Sequence, residues 1–222
     1  MEQDVHNRLS AAADKYGLDI EGGQVRRSSS RFCFGVEHGD YNGMELFGVG
    51  TDRFIWLAFK PNTSGRVRIF SENFPEDGIV DFALGEAAEP EELKDSWARF
   101  PHGVELILRR EGYELGTGFD AVLYGNIPGG GMSRSASLAL NLILTFFEVN
   151  ETVVEDGMRI VDLAQMLETD YIGSPFGTFA QCTLHFETAV MCPYFISCNG
   201  TIDHNTLGGN PYSFRIVRCL LS

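Results

Sequence analysis

The chain has 222 residues, of which 44% are hydrophobic and 22% are charged, and its formal net charge is −14. Such values are typical of a globular protein and argue against disorder. A chain this acidic offers few cations to the phosphate backbone of nucleic acid, so we expect no nucleic-acid partner.

Cysteine usage and the terminal segments indicate a cytoplasmic protein. The cysteines are odd in number and form no C-x-x-C pair, which favours reduced thiols over a disulfide framework: Cys33, Cys182, Cys192, Cys198 and Cys219. Residues 1–15 are polar and lack the apolar core of a signal peptide. The longest apolar stretch, near 138–149, is interrupted by Asn141 and Thr145 and is too short to span a bilayer, so we expect no membrane partner. The sequence does not indicate an oligomeric state.

The first half of the chain predicts a helix followed by extended segments. Residues 4–16 have the spacing of a short amphipathic helix, and 24–36 lead into a turn rich in Gly, His and Asp at 35–43. Two apolar runs, at 54–59 and 67–70, are separated by a turn at 63–65. Their closeness in sequence predicts that they pair as a β-hairpin or meander.

The second half alternates helices with strands. Its predicted elements are an acidic loop at 85–92, a helix at 96–111, a buried strand at 120–124, a glycine-rich loop at 125–131, helices at 133–147 and 157–167, and short strands between 188 and 221. Strands that come first, followed by helices separated by strands, favour an α+β architecture over a regular βαβ repeat. The final apolar run, 214–221, reads as a strand, so we expect the sequence to stop inside a larger protein.

The glycine-rich loop has the features of an anion site. Successive glycines at 129–131 allow the backbone to approach a ligand closely, and the helix that follows presents unpaired N–H groups and a partial positive charge. Ser133 and Ser135 add hydroxyls that can bind phosphate oxygens or a metal. The lysine of a P-loop is absent, and a serine that caps the helix after a tight turn explains the same residues equally well.

Residues 31–43, R-F-C-F-G-V-E-H-G-D-Y-N-G, resemble the galactokinase signature G-R-V-N-L-I-G-E-H-T-D-Y-N-G. Galactokinases belong to the GHMP kinases, with homoserine, mevalonate and phosphomevalonate kinases. The resemblance implies that Glu37, His38 and Asp40 contact the hydroxyls of a galactose-like sugar, since carboxylates accept hydroxyl hydrogen bonds and an imidazole donates or accepts them. It also implies that Arg31 lies near the anomeric oxygen and stabilises charge on the transferring phosphate. The alternative is a polar turn in which His38 has a structural role.

The glycine-rich loop is similar to the P-x-G-x-G-L-S-S-S-A phosphate loop of the same family. The resemblance implies that ATP is bound by Gly129, Gly130, Gly131, Ser133, Arg134 and Ser135. Trp97 stands in W-A-R-F-P-H-G-V, which is similar to a W-x-x-Y-x-x-G-V segment whose tryptophan borders the adenine. The alternative for Trp97 is a core position.

A third segment, residues 168–181, E-T-D-Y-I-G-S-P-F-G-T-F-A-Q, resembles the galactokinase stretch E-x-x-x-x-G-x-P-C-G-x-M-D-Q. The resemblance implies that Glu168 and Ser135 hold Mg²⁺ and that the backbone of Gly177 faces the sugar. Residues 26–221 take part in the resemblance, which implies the α+β fold of a GHMP kinase N-terminal domain, related to ribosomal protein S5 domain 2, over residues 1–222 and without the C-terminal domain of the family.

The sequence departs from the family at a position that matters for catalysis. Ala180 stands where galactokinases have the aspartate proposed as general base, and a missing base costs ~10²–10⁴-fold in rate. Ser30, Cys33, Val36 and Arg134 also depart from the motifs. The resemblance implies ATP-dependent phosphorylation of galactose or a close sugar at its anomeric hydroxyl, impaired by Ala180 and the missing domain. Two alternatives stay open: an inactive sugar- and ATP-binding pseudokinase or regulatory module, and a truncated product without a ligand.

Overall fold

The computed structural model describes residues 2–35, 46–93, 96–129, 131–173, 193–197 and 215–218. Its helices are α1 (Glu2–Tyr16), α2 (Arg99–Arg110), α3 (Arg134–Val149) and α4 (Gly157–Met166), which continues into a π-helical turn, Leu167–Ile172. Its strands are β1 (Gln24–Gly35), β2 (Leu46–Asn62), β3 (Arg66–Ser71), β4 (Ile79–Ala83), β5 (Gly118–Gly125), β6 (Pro193–Ser197) and β7 (Arg215–Arg218). The helices predicted from apolar spacing are confirmed, with ends shifted by a few residues.

The strands of the described residues form one mixed sheet in the order β4-β3-β5-β2-β6-β7, with β1 paired to β2. β5 runs antiparallel to β2 and parallel to β3. This arrangement confirms the predicted α+β class. The short strand β4, which pairs antiparallel with β3, was not predicted from the sequence.

The predicted hairpin of β2 and β3 is wrong, because β5 lies between them. The start of β5 lies very close to the start of β3. A Cβ atom at Gly118 would lie 2.2 Å from the carbonyl oxygen of Arg66, so only glycine fits there. A short turn therefore joins two strands that are next-nearest neighbours.

Helices cover both faces of the sheet. Along β2, Ile55, Leu57 and Phe59 belong to the large apolar cluster with α2, α3 and α4, whereas Trp56 and Ala58 belong to a smaller cluster with α1. Successive side chains of a strand point to opposite faces, so a strand buried on both faces reads as an unbroken apolar run. Among the described residues, none of the helices combines the length and apolar character that crossing a bilayer requires.

Candidate functional site

The base of the glycine-rich loop is fixed to the sheet by two asparagines. The side-chain amide of Asn73 donates to the carbonyl oxygen of Gly125 at 2.9 Å, and its Oδ1 accepts from the Gly125 N–H at 2.7 Å. The Oδ1 of Asn126 accepts from the N–H of Phe54 at 2.8 Å, and its own N–H donates to the Phe54 carbonyl at 3.0 Å. Sequence reasoning missed the role of Asn73, since a lone asparagine after a strand carries no motif.

The tip of the loop is exposed. A Cβ atom added at Gly129 would meet no atom of the described residues within 4 Å. Gly131 has φ of 82°, a backbone conformation that favours glycine. The tip therefore presents its backbone to open space, as a loop that takes up a ligand must.

Helix α3 starts from a strained residue. Ser133 has φ 56° and ψ 38°, the left-handed region that is uncommon for residues other than glycine, and its side chain makes no capping hydrogen bond. The alternative in which Ser133 caps the helix with its hydroxyl is therefore wrong. The first turn of α3 also lacks an acidic residue, so its N–H groups and the helix dipole remain suited to an anion.

An irregularity between β1 and β2 precedes Arg31. Ser29 pairs with Phe54, whereas Arg31 pairs with Gly50, so two positions on β1 correspond to four on β2. Ser30 is fully buried in this bulge and its hydroxyl forms a hydrogen bond with the hydroxyl of Thr51. This contact explains how a serine fits where the resemblance expects glycine.

The side chain of Arg31 reaches the glycine-rich loop. It is 7% exposed, and its Nη1 donates to the carbonyl oxygen of Gly131 at 3.4 Å. Arginine and loop come from separate sequence motifs, and the fold brings them together. Arg134, by contrast, is exposed, with its guanidinium carbon 5.8 Å from the centroid of the Phe74 ring.

Glu168 lies in the π-helical turn and is 2% exposed. Helix α2 packs against this turn so closely that a Cβ atom at Gly103 would lie 2.5 Å from Cδ1 of Leu167. Arg99 donates from Nη2 to the carbonyl oxygens of Tyr171 and Ile172, at 3.0 and 2.9 Å. These contacts fix the position of the π-helical turn that carries Glu168.

Ser135 and Glu168 are the predicted Mg²⁺ ligands, and a hydroxyl and a carboxylate are oxygen ligands of the kind that this ion takes. The described residues contain no group of three or more His, Cys, Asp and Glu side chains able to hold a metal ion. Mg²⁺ is commonly held by one or two protein oxygens together with substrate phosphates. Ser135 lies in the first turn of α3, and Glu168 follows α4, which packs against α3.

Trp97 is 5% exposed and belongs to the large apolar cluster, which also contains Ile127 of the glycine-rich loop. Its indole nitrogen has no hydrogen-bond partner within the described part of the chain. This burial favours the core alternative for its ring, and the contact with adenine stays a prediction.

The predicted sugar-binding residues Glu37, His38, Asp40 and Gly177 lie outside the described residues, as do Gly130 and Ala180. Their roles stay predictions. Strand β1, which leads into 36–45, passes the glycine-rich loop at Arg31.

Buried side chains hold the acidic loop at 85–92 against α2. Glu105 accepts from the N–H of Gly85 at 2.7 Å, His102 Nδ1 accepts from the N–H of Ala88 at 2.9 Å, and the Tyr171 hydroxyl donates to the Ala88 carbonyl. Burial lowers the pKa of His102 to about 4 and raises the pKa of Tyr171 to about 12. His102 is therefore a neutral acceptor at physiological pH.

Comparisons with known proteins agree with this architecture. The family described as GHMP kinases N terminal domain matches residues 101–185. The galactokinase of Bacillus subtilis is 35% identical over 146 residues, which cover 65% of this chain and 37% of that protein. The galactokinase of Lactococcus lactis is 35% identical over 200 residues, which cover 86% of this chain and 48% of that protein.

A crystal structure of the Lactococcus lactis galactokinase complexed with galactose superposes with a TM-score of 0.75 at 25% identity, covering 91% of this chain and 53% of that one. The chain thus spans between about a third and about half of the length of these relatives. The mixed sheet with its helices agrees with the structural likeness. The chain therefore has the N-terminal domain fold of the GHMP kinases, and its sequence is similar to those of galactokinases.

Proposed function

We propose that this chain binds ATP with Mg²⁺ and a galactose-type sugar and transfers the γ-phosphoryl group to the anomeric hydroxyl of the sugar. The observation that carries the proposal is the 3.4 Å contact from Arg31 Nη1 to the Gly131 carbonyl. It sets a buried cation from the sugar motif beside the loop that opens α3. A phosphoryl group that passes between a sugar and a nucleotide needs both in one place.

The parts have distinct roles. The amides of the loop and the open first turn of α3 would hold the ATP phosphates, with the hydroxyls of Ser133 and Ser135 beside them. Arg31 would stabilise negative charge as the anomeric oxygen forms its bond to the γ-phosphorus and the bond from that phosphorus to the ADP oxygen breaks. Ser135 and Glu168 would hold Mg²⁺, which neutralises phosphate charge, and the proton of the sugar hydroxyl leaves to a base or to water.

Galactose is the proposed sugar for two reasons. The E-H-x-D-Y-N-G motif supplies Glu37, His38 and Asp40 as groups that read hydroxyls, with the Gly177 backbone as a further contact. A solved relative with a TM-score of 0.75 is described as complexed with galactose.

A second candidate function is binding without turnover. Ala180 favours it, because an alanine cannot accept a proton where the resemblance expects an aspartate. In this case the chain would sense galactose and ATP as a regulatory module.

A coupled assay of galactose-dependent ADP release, together with calorimetry for each ligand, distinguishes these functions. Turnover supports the kinase, whereas saturable binding without turnover supports the module. In the kinase, Ala180→Asp is expected to raise the rate ~10²–10⁴-fold, and Ala180→Asn, similar in shape but not a base, is not. If neither ATP nor galactose binds or raises the melting temperature, both functions are wrong and the truncated product without a ligand is favoured.

A further inference from the structure

A line of polar side chains joins β1 to α3, and we call it the polar seam: Arg26 and Ser28 on β1, with Ser137, Asn141 and Thr145 on α3. Alternate residues of a strand share one face, and residues four apart share one face of a helix. The polar seam therefore forms where a polar face of β1 contacts a polar face of α3. It lies beside the apolar cluster that β2 shares with α3.

The centre of the polar seam is a set of hydrogen bonds around the Ser28 hydroxyl. The Ser28 hydroxyl donates to the Ser137 carbonyl at 2.9 Å and accepts from the Ser137 hydroxyl at 2.8 Å. Asn141 donates from Nδ2 to the Ser28 hydroxyl at 3.1 Å and to the Ile55 carbonyl at 3.2 Å. Ser137 and Asn141 are fully buried, so these bonds form away from water.

The far end of the polar seam is ionic. Arg26 donates from Nη1 to the Thr145 hydroxyl, which itself donates to the Asn141 carbonyl at 2.8 Å, and its Nη2 pairs with Glu148. Burial lowers the pKa of Arg26, whose guanidinium lies 4.9 Å from the centroid of the Phe59 ring. The polar seam thus continues along the length of α3 toward its C-terminal end.

Stability alone does not call for such a seam. Replacing both partners of a buried polar pair with apolar groups of the same shape is often neutral or stabilising. On the other face of the sheet, α1 packs through an apolar cluster that includes Leu9, Ala13 and Trp56. Hydrogen bonds are directional, so they fix how far α3 can slide along its own axis relative to β1. Apolar packing restricts this sliding less.

We propose that the polar seam is a positioning device that fixes the start of α3, and with it the glycine-rich loop, relative to Arg31. Ser28 lies three residues before Arg31 on β1, and Ser137 lies one turn after the start of α3, so the central bonds adjoin the Arg31–Gly131 contact. Ser28, Ser137 and Asn141 are therefore positioning residues for phosphate binding. This inference rests on the proposed function.

The test uses Ser28→Ala and Asn141→Leu, which remove the central bonds with little change in volume, and Ser28→Thr, which keeps the hydroxyl. The matched control is Asn150→Ala at the opposite end of α3, where the Asn150 Oδ1 accepts from the N–H groups of Gly116 and Thr117, both at 2.8 Å. Amide hydrogen exchange of residues 125–135 is measured without ligand. Calorimetry then gives the affinities for ATP with Mg²⁺ and for galactose, at a temperature where circular dichroism shows every variant folded.

We expect Ser28→Ala and Asn141→Leu to speed exchange in the loop about fivefold for each hydrogen bond lost. Affinity for ATP should fall about tenfold, since the anion site is then populated in fewer molecules, while affinity for galactose is retained. Ser28→Thr should restore both loop exchange and ATP affinity. Asn150→Ala should lower the free energy of unfolding without changing loop exchange or ATP affinity.

The positioning role is overturned if the loop of Ser28→Ala and Asn141→Leu exchanges at the wild-type rate. It is also overturned if the loop of Asn150→Ala exchanges as fast as theirs. Both outcomes are independent of nucleotide binding. Faster exchange with unchanged ATP affinity would also overturn the positioning role. If the wild-type chain binds neither ligand but the exchange pattern is as expected, the proposed function fails and the polar seam still holds the loop.

Discussion

Within the described ranges, two loops connect a strand to a helix, and their backbone polar groups differ in whether side chains bind them. In the acidic loop before α2, Ala88 has its N–H bound by His102 and its carbonyl bound by Tyr171. In the glycine-rich loop before α3, the base is fixed by Asn73, but the tip at Gly129 faces open space and Ser133 makes no cap.

The difference indicates which groups bind the backbone of each loop: side chains of the protein in the acidic loop, and a ligand in the glycine-rich loop. A loop whose polar groups are bound by buried side chains has a structural role, and changes in it should appear as changes in stability. A loop that leaves the N–H groups of the following helix open and contains a strained residue can bind an anion through those N–H groups. Changes in such a loop should alter ligand affinity. The four predictions that follow test this division.

The largest effect is expected at Arg31. Arg31→Ala should lower turnover ~10²–10³-fold, because it removes a preorganised charge beside the glycine-rich loop. Arg27→Ala is the matched control, since Arg27 lies on the α1 face of the same strand, 4.8 Å from the centroid of the Phe54 ring. Steady-state kinetics of both variants check the prediction, and equal losses would contradict it.

Acid should destabilise the domain through the acidic loop. The His102 side chain binds a proton only near pH 4 in the folded protein but near its ordinary pKa of 6.5 in the unfolded chain. Between these values the unfolded chain binds more protons at His102, so this residue should lower the free energy of unfolding by up to roughly 3 kcal/mol as the pH drops from 6.5 to 4. Urea titrations across this range measure the slope.

His102→Gln should flatten that slope, whereas His6→Gln, at an exposed position on α1, should leave it unchanged. A slope that survives in His102→Gln would assign the acid sensitivity to other groups. ATP affinity at pH 7 should be the same in both variants.

Tyr171→Phe should lower the free energy of unfolding by about 1–2 kcal/mol, since it leaves the Ala88 carbonyl without the phenol donor. Chemical denaturation measures this loss. Tyr113→Phe is a control for removing a phenol, because the Tyr113 hydroxyl accepts a long hydrogen bond of 3.3 Å from Arg159. Similar losses in the two variants would argue against the special role of the Ala88 contact.

The smallest effect is expected at Ser133. Ser133→Gly should raise the free energy of unfolding by about 0.5–1 kcal/mol, because glycine adopts the left-handed conformation without a Cβ clash, while ATP affinity should fall with the loss of the hydroxyl. Glu151→Gly is the control, since Glu151 has φ of 53° just after the other end of α3. It should gain similar stability and keep its ATP affinity.

The parts of the fold that depend on local pattern could be predicted from the sequence. The apolar spacing of α3 and the glycines before it predict a helix that starts from an exposed loop, and the structure has both. Arg31 could be identified because it adjoins a motif. The roles of Thr51 and Asn73 could not, since each depends on a contact with a residue far away in the sequence.

The pairing of β5 between β2 and β3 also could not be predicted. A turn at 63–65 is the usual signal for a hairpin. The strand that lies between β2 and β3 begins at Gly118, more than fifty residues later in the chain, where a Cβ atom would clash with Arg66. The buried carboxylate of Asp120 on β5 accepts hydrogen bonds from Asn62 and Arg68 on the two flanking strands, at 2.8 and 2.9 Å. Periodicity cannot reveal which strands such a group will join.

The insertion of β5 also sets an order of events during synthesis. β2 and β3 leave the ribosome long before residue 118, yet their neighbour in the sheet has not been made. Until β5 emerges, facing backbone groups of both strands have no partner, and nascent chains in that state are prone to pair wrongly. Because β5 leads directly into the glycine-rich loop, the strand that joins β2 to β3 also precedes the proposed phosphate site, so a nascent chain gains this part of its sheet and that loop at nearly the same moment.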